Sequence, residues 1–189
     1  MLGRPGGIAG SLALLLAVAG CAASAAGSPR TATSARPAPV STREPAEAAG
    51  GACQLLNYEQ VTAAIEVDFD VAGASTSGDT YTCVLRRVDG ALPDLSLAVS
   101  PTLADTTVFS TSVTPKGAVV VGDLGKLGYS RPLPAASGTG PGAEIGWLSG
   151  NQRLMILRYR TPPGTAPTDA TALIPKLIAL AKKVDQASA

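Results

Sequence analysis

The sequence predicts an α+β domain over residues 51–189, in which an antiparallel sheet of about five to six strands carries an N-terminal and a C-terminal helix. Several short segments alternate apolar and polar residues with the period of two that a half-buried strand requires. Apolar residues follow helical spacing near 57–66 and again near 168–186. Strands and helices do not alternate along the chain, so an antiparallel sheet is favoured over a parallel βαβ architecture.

The first helix is predicted over residues 57–66. Asn57 is a favourable N-cap, and Gln60 follows it at the spacing of a capping box. The next segment, 67–71, alternates apolar and acidic residues and predicts a half-exposed strand, which the glycines of 73–78 should end. Further strands are predicted over 80–88, 94–100, 118–121, 142–149 and 152–160.

The middle and the end of the domain show three further patterns. Residues 154–157 are apolar at every position, which predicts a central strand covered on both faces. A short helix capped by Thr102 is expected, and 132–142, with its prolines and glycines, is expected to be a loop. The last helix should begin at Thr168 and be kinked by Pro175.

The first 21 residues have the pattern of a bacterial lipoprotein signal, the lipobox. Arg4 precedes an apolar run over 8–19, and small residues lead into Cys21. In such signals the cysteine thiol receives a diacylglycerol, the peptide is cut before it, and the new N-terminus usually receives a fatty acid such as palmitate. The apolar run is shorter than the roughly 20 residues that span a bilayer as a helix. We therefore expect residues 1–20 to be a signal peptide and Cys21 to anchor the protein at the extracytoplasmic face of the cell membrane.

Residues 21–50 are expected to comprise the lipidated cysteine and a disordered tether. Beyond Cys21 the segment consists mainly of Ala, Ser, Thr, Pro and Gly and contains no Leu, Ile or aromatic residue. Such a composition buries too little apolar surface to offset the entropy of ordering it. Hydroxyls near its prolines are candidates for O-glycosylation, and a bare linker is equally consistent with the composition.

Cys53 and Cys83 are the cysteines that remain beside Cys21. An even pair in an oxidising compartment predicts a disulfide, with two free buried thiols as the alternative. The chain has no histidine, which excludes Ser-His-Asp and Cys-His catalysis and zinc sites built on imidazole. We expect no catalytic residue, no metal and no cofactor.

The charge of the chain is balanced, with 15 Lys and Arg against 14 Asp and Glu. A protein without excess positive charge lacks the phosphate neutralisation on which nucleic-acid affinity depends. The sequence also lacks a polybasic run for anionic lipid headgroups, so anchoring is assigned to the acyl chains.

Candidate ligand contacts are Arg158 and Arg160, which alternate on one face of the last predicted strand, and Trp147. Arg86 and Arg87 are adjacent on another strand. Were the two strands neighbours, these arginines would form a cationic site for carboxylate or phosphate groups. Salt-bridged arginines at an exposed strand end are the favoured interpretation, with the ligand site as the alternative. Trp147 is expected in the core, with the rim of a ligand pocket as its alternative place.

Two weaker motifs favour structural roles. Residues 122–128 have the glycines of a phosphate loop but lack its Gly-Lys-Ser/Thr ending, which favours a turn. Asp68, Asp70 and Asp79 offer oxygen ligands for calcium, but no EF-hand spacing supports such a site, and a solvated acidic face is favoured.

A group of these features resembles one family. They are the lipobox, the Pro/Thr/Ala tether, Cys53-Gln-Leu-Leu before a helix with Tyr58-Glu-Gln-Val61, the second cysteine, Val119-Val-Val-Gly-Asp-Leu-Gly125 and an amphipathic last helix. Over residues 51–186 they are similar to the small secreted lipoproteins of mycobacteria and related actinobacteria, a domain family of unknown function. The resemblance implies a lipid-anchored extracytoplasmic domain with one disulfide and supplies no catalytic residues. The family pattern has an aromatic residue after the second cysteine, where this chain has Val84-Leu85.

These observations predict a non-enzymatic envelope lipoprotein that binds an envelope protein or a small ligand. A carrier of lipid or glycolipid is the alternative and requires an apolar cavity of several hundred cubic ångströms. A hydrolase using carboxylates ranks last, because no nucleophile stands beside a plausible base in the sequence.

Overall fold

The structure is a computed structural model that describes residues 44–189. The predicted signal peptide, Cys21 and the tether as far as residue 43 lie outside the described residues. One antiparallel sheet has the strand order β1-β2-β3-β7-β6-β5-β4. The α+β prediction is confirmed, with seven strands in the described part of the chain rather than five or six. The strands are β1 (Val71–Ser77), β2 (Thr80–Arg87), β3 (Gly90–Pro101), β4 (Val119–Val121), β5 (Leu127–Leu133), β6 (Gly142–Leu148) and β7 (Arg153–Arg160).

Helices from both ends of the described chain pack on one side of the sheet, which we call the helix-covered face. α1 (Tyr58–Ile65) contacts α4 (Ile174–Ala187), and α4 lies against β6. Two shorter helices are α2 (Thr106–Val108), which continues as a wider turn to Val113, and α3 (Pro167–Ala172). No helix within residues 44–189 has both the length and the apolar character that a membrane span requires.

α1 begins where the sequence predicts. The Asn57 side-chain oxygen accepts hydrogen bonds from the backbone N–H groups of Glu59 and Gln60, at 2.9 and 3.2 Å. These bonds satisfy two of the N–H groups that a helix start leaves without partners. Val61 and Ile65, one turn apart, are buried in the main core cluster, so the same short helix is both capped and fixed in place.

The core lies between the helices and the sheet. β7 occupies the middle of the sheet, as its apolar run predicts, and its Met155 and Leu157 are fully buried on the helix-covered face. Leu154 and Ile156 alternate to the other face, where they pack against a smaller cluster around Phe109. The central strand is therefore covered on both sides over this stretch.

Cys53 and Cys83 form the predicted disulfide. Cys53 lies in the 3₁₀ turn Gly51–Leu55 before α1, and Cys83 lies on β2. Both residues are fully buried. The bond therefore joins the start of the domain to the sheet.

Two strand predictions are wrong. The predicted strand 67–71 does not form, and only its last residue belongs to β1. Phe69 is buried in the core. The Thr62 hydroxyl donates to the Asp68 carboxylate at 3.0 Å, a local hydrogen bond that competes with pairing to a neighbouring strand. The strand runs instead through the glycine and serine segment expected to end it, because pairing with β2 outweighs local propensity. β5 was not expected and takes the first two residues of the predicted loop 132–142.

The helix predictions also need correction. The last helix is two helices, and Pro175 stands in the first turn of α4, where a missing N–H breaks no bond. α3 begins one residue before the expected cap Thr168. The short middle helix is capped by Asp105, whose carboxylate accepts its hydrogen bond at 2.8 Å, and not by Thr102.

The folded part begins before residue 51, where the domain was predicted to start. Ala46 is fully buried in the main core cluster. The Glu47 carboxylate accepts a hydrogen bond from the Asn57 side-chain amide at 2.8 Å. A single buried alanine in an alanine-rich segment has no periodic pattern to mark it, so the predicted boundary was wrong and residues 44–50 belong to the domain.

Candidate functional site

The candidate site lies on the side of the sheet opposite α1 and α4, which we call the open face. Arg158, Glu144 and Arg131 are direct cross-strand neighbours there, on β7, β6 and β5, and we call them the Glu144 row. Asp94 on β3 is paired in register with Arg160 on β7. Because side chains alternate between faces, residues two apart on β7 lie on the same side, so both rows share the open face.

Glu144 is the centre of its row and is 1% exposed. Its Oε1 accepts hydrogen bonds from Tyr129 Oη at 3.0 Å and from Arg131 Nε at 2.7 Å, and its Oε2 accepts one from Arg158 Nε. Burying a carboxylate without partners is very costly. Three donors, two of them cationic, make this burial stable.

The ionisation of the row follows from these contacts. Burial by itself would raise the pKa of Glu144, but the hydrogen bonds from Arg131 and Arg158 outweigh it and hold that pKa below its ordinary value. For Tyr129, burial first and the Glu144 charge second raise the pKa of the phenol. Glu144 is therefore an anion and Tyr129 a neutral donor at neutral pH.

Tyr129 is held in place by its neighbours on the open face. A Cβ at Gly146 would lie 2.4 Å from the Tyr129 ring, so only glycine leaves room for that ring. The ring centroid is 5.9 Å from that of Phe109, which belongs to the turn after α2. The turn after α2 thus covers one part of the open face and orients the hydroxyl that reaches Glu144.

A second row of charged residues on the open face, the Asp94 row, comprises Arg86, Asp94 and Arg160. Arg86 Nη2 lies 4.0 Å from Asp94 Oδ2, and Arg160 Nη1 donates to the Pro134 carbonyl at 2.8 Å. Partial burial raises the pKa of Asp94, and the two arginines oppose this rise without cancelling it. This row is looser than the Glu144 row.

The sequence-predicted arginines are brought together only in part. Arg158 and Arg160 share the open face as predicted. Arg86 is on the same face, but β3 lies between β2 and β7, so their strands are not neighbours. Arg87 pairs with Asp89 at the adjacent turn, at 3.1 Å. Arg86, Arg87 and Arg158 are salt-bridged, as the favoured interpretation had it. Arg160 donates instead to a backbone carbonyl.

Trp147 lies on the helix-covered face and is fully buried. Its indole N–H donates to the Asp185 carboxylate on α4 at 2.9 Å. This is the core position expected by default, and it leaves no indole surface beside the arginines.

Sequence reasoning missed Glu144, Tyr129 and Arg131. The available signal was Glu144 itself, a single acid inside a strand whose other residues are glycine or apolar. Arg131 and Tyr129 lie on β5, for which no strand was predicted, so nothing indicated that they face Glu144.

The weaker motifs have structural explanations. Residues 122–126 form the turn between β4 and β5, and residues 127–128 already belong to β5. A Cβ at Gly125 would lie 2.3 Å from the Leu148 carbonyl oxygen, so this glycine permits close packing. Within residues 44–189, no group of three or more Cys, Asp or Glu side chains is arranged to hold a metal ion.

Within residues 44–189, two of the surface clefts outside the arginine rows have a volume of about 370 Å³. One is bordered by Tyr81, Val99 and Arg153. The other is lined largely by proline, including Pro134 and Pro167. Both open at the surface, whereas the apolar side chains between the helices and the sheet are packed against one another.

Comparison of the chain with protein-family models, with curated proteins and with solved structures finds no match. Its function must therefore be argued from its own residues.

Proposed function

We propose that the chain is a lipid-anchored lipoprotein of the cell envelope, similar to the small actinobacterial secreted lipoproteins, whose α+β domain is a non-enzymatic binding module. The lipobox ending at Cys21 carries the proposal. The Cys53–Cys83 bond supports it, because structural disulfides persist in extracytoplasmic compartments. The acyl chains hold the domain at the membrane, and an envelope protein or small ligand is its partner.

A binding role is supported over catalysis by the state of Glu144. A general acid at neutral pH needs a raised pKa, whereas the pKa of Glu144 is lowered and both of its oxygens are occupied by donors. Among the described residues, Glu144 is the one fully buried charged side chain. This arrangement fits a side chain that orients the two arginines rather than one that transfers protons.

The packing of the domain favours a binding module over a lipid carrier. A carrier needs an apolar cavity that encloses most of its ligand. Here the space between the sheet and the helices is filled by buried side chains, and the two clefts described above open at the surface. The open face, with its polar and charged rows, is the surface we assign to binding.

The test of the anchor is labelling of cells with an alkyne fatty acid, followed by intact mass of the purified protein. The wild-type chain should carry the label and the mass of a diacylglyceryl cysteine at Cys21, and Cys21→Ser should carry neither. Cys53→Ser is the matched control and should keep the label. An unlabelled wild-type chain, or a label that survives Cys21→Ser, contradicts the proposal.

A further inference from the structure

The Glu144 row uses its two arginines in an unusual way. Arg131 and Arg158 both bind Glu144 through Nε alone. No other residue within 44–189 accepts a hydrogen bond from their Nη atoms. Each guanidinium therefore retains its terminal NH₂ groups as free donors, and the side chains of Arg131 and Arg158 are 33% and 52% exposed.

Stability alone gives a weak reason for this arrangement. A buried ion pair recovers little more than the desolvation it costs, and apolar residues of similar volume are often as stable. The Tyr129 hydroxyl and the Gly146 gap that admits its ring add further constraint on Glu144. The consequence of all these contacts is that two guanidinium groups are held in fixed orientation on either side of one carboxylate.

The charge of the open face is unbalanced around this carboxylate. Two arginines and one glutamate leave the Glu144 row with one net positive charge. Arg86 and Arg160 with Asp94 leave a second one in the neighbouring row. Arg160 lies two residues from Arg158 on the same strand face, about 7 Å along β7. In each row two arginine charges face one carboxylate, and the remaining positive charge attracts a further anion. The NH₂ groups of a guanidinium are spaced to donate to two oxygens of a phosphate or carboxylate.

The surface beside the row is accessible. The row continues from Arg158 to Ser96 on β3 and Val84 on β2, which are small and only half-buried. The turn after α2 packs instead on the neighbouring stretch of Tyr129 and Leu148. An anionic group can therefore approach Arg158 from solvent.

We propose that Arg131 and Arg158 form an oxyanion site, in which Glu144 is a positioning residue and the free NH₂ groups bind the phosphate or carboxylate group of a ligand. Arg160 in the next row lies where a second anionic group of the same ligand would bind. This inference rests on the proposed binding function and names its ligand class. Free phosphorylated or carboxylated molecules and anionic lipid headgroups present the same chemistry, so the test separates them.

The experiment uses the full chain extracted in a neutral detergent. Inorganic phosphate is titrated by calorimetry while the Nε–H resonances of the arginines are followed by NMR. We expect saturable binding with shifts of the Arg131 and Arg158 signals. Arg158→Gln should weaken binding about tenfold or more, as expected for loss of charge-assisted bonds, and Arg158→Lys should restore only part of it, because lysine lacks the fork of donors.

Arg153→Gln is the matched control, because Arg153 lies on the same strand but points to the other face. It should leave phosphate affinity unchanged. Equal weakening by Arg153→Gln and Arg158→Gln would mean non-specific attraction and would overturn the site. Arg158 is half-exposed and Glu144 keeps two donors in Arg158→Gln, so this variant should remain folded, as the unchanged NMR signals of the core will show.

A second arm identifies the source of the anion. The detergent micelles are doped with phosphatidylglycerol, and the same arginine signals are followed. If the site binds headgroups, doped micelles should shift these signals, and free phosphate should compete and move them to the positions seen with phosphate alone. If the site binds a free ligand, phosphate should shift them and doped micelles should not. Absence of binding in both arms overturns the inference, while the lipid label on Cys21 tests the anchor separately.

Discussion

Glu144→Gln removes the charge at the centre of the Glu144 row while keeping the shape of the side chain. The amide retains one acceptor oxygen, and its NH₂ group faces an arginine N–H, so one charge-assisted bond becomes a contact between two donors. Tyr129 and one arginine can still bind the remaining oxygen. Because Glu144 is 1% exposed, water cannot replace the lost partner.

The magnitude follows from the exposure of the partners. Two hydrogen bonds to a charged group contribute about 1.5–3 kcal/mol each. The arginine side chains are 33% and 52% exposed and can turn towards water, which reduces the loss. We expect the free energy of unfolding to fall by about 2–4 kcal/mol, and the melting temperature by roughly 6–15 °C for a domain of this size.

The pH dependence supplies a second signature. The pKa of Glu144 is lowered in the folded state, so its contribution is fully present above the ordinary value of 4.5 and is lost as pH falls through the folded pKa. The glutamine variant has no group to titrate there. The stability difference between wild type and variant should therefore shrink between about pH 4.5 and the acid limit.

The assay is urea denaturation of the full chain in neutral detergent from pH 2 to 8, read by tryptophan fluorescence. Glu66→Gln is the matched control, since Glu66 also pairs with a cation, Lys176 at 2.8 Å, but is 76% exposed. It should cost less than about 0.5 kcal/mol. A loss below about 1 kcal/mol for Glu144→Gln, or a difference that does not change with pH, would refute the ion-pair reasoning.

Three further predictions concern the framework that supports the open face. Cys53→Ser should lower the free energy of unfolding by about 3.5–4 kcal/mol for a closed loop of this length, and thiol titration of the denatured wild type should find Cys53 and its partner oxidised. Deleting residues 22–50 should lower the melting temperature by roughly 3–8 °C relative to deleting residues 22–43 alone, because a buried alanine and a hydrogen bond are lost. Equal melting temperatures of the two variants would mean that the domain starts at residue 51. Gly146→Ala should lower the free energy of unfolding by at least about 1–3 kcal/mol and weaken phosphate binding, because the added Cβ meets the tyrosine ring that supports Glu144. Gly73→Ala is the control: a Cβ there has no atom within 4 Å, so its melting temperature should be nearly that of the wild type.

The parts of the fold that the sequence predicts well are those in which local pattern and packing agree. α1 has a cap at Asn57 and an apolar stripe in the eight residues that follow, and the all-apolar run of β7 occupies the middle of the sheet. β1 is the opposite case. Its small residues show no alternation typical of a strand. Its extended conformation comes from pairing with β2, which cannot be recognised from the sequence of β1 alone.

Predicting where the strands lie does not predict which side chains pair across them, and the Glu144 row shows why. The predicted strands 142–149 and 152–160 leave a two-residue turn at 150–151, and a hairpin across it would place Glu144 opposite Leu157. The connection has three residues, with Gln152 in the left-handed conformation at φ 59°, and Ser149 pairs back to Arg153. Three-residue hairpin loops of this kind shift the pairing by one residue, and a shift of one exchanges the faces that meet. That single residue brings Glu144 opposite Arg158. Deleting Gln152 should therefore shift the NMR signal of Arg158 Nε–H far more than that of Arg131 Nε–H, because the contact of Arg131 with Glu144 depends on the β5–β6 pairing. Equal shifts of both signals would show that the Glu144 row does not depend on the register of the β6–β7 hairpin.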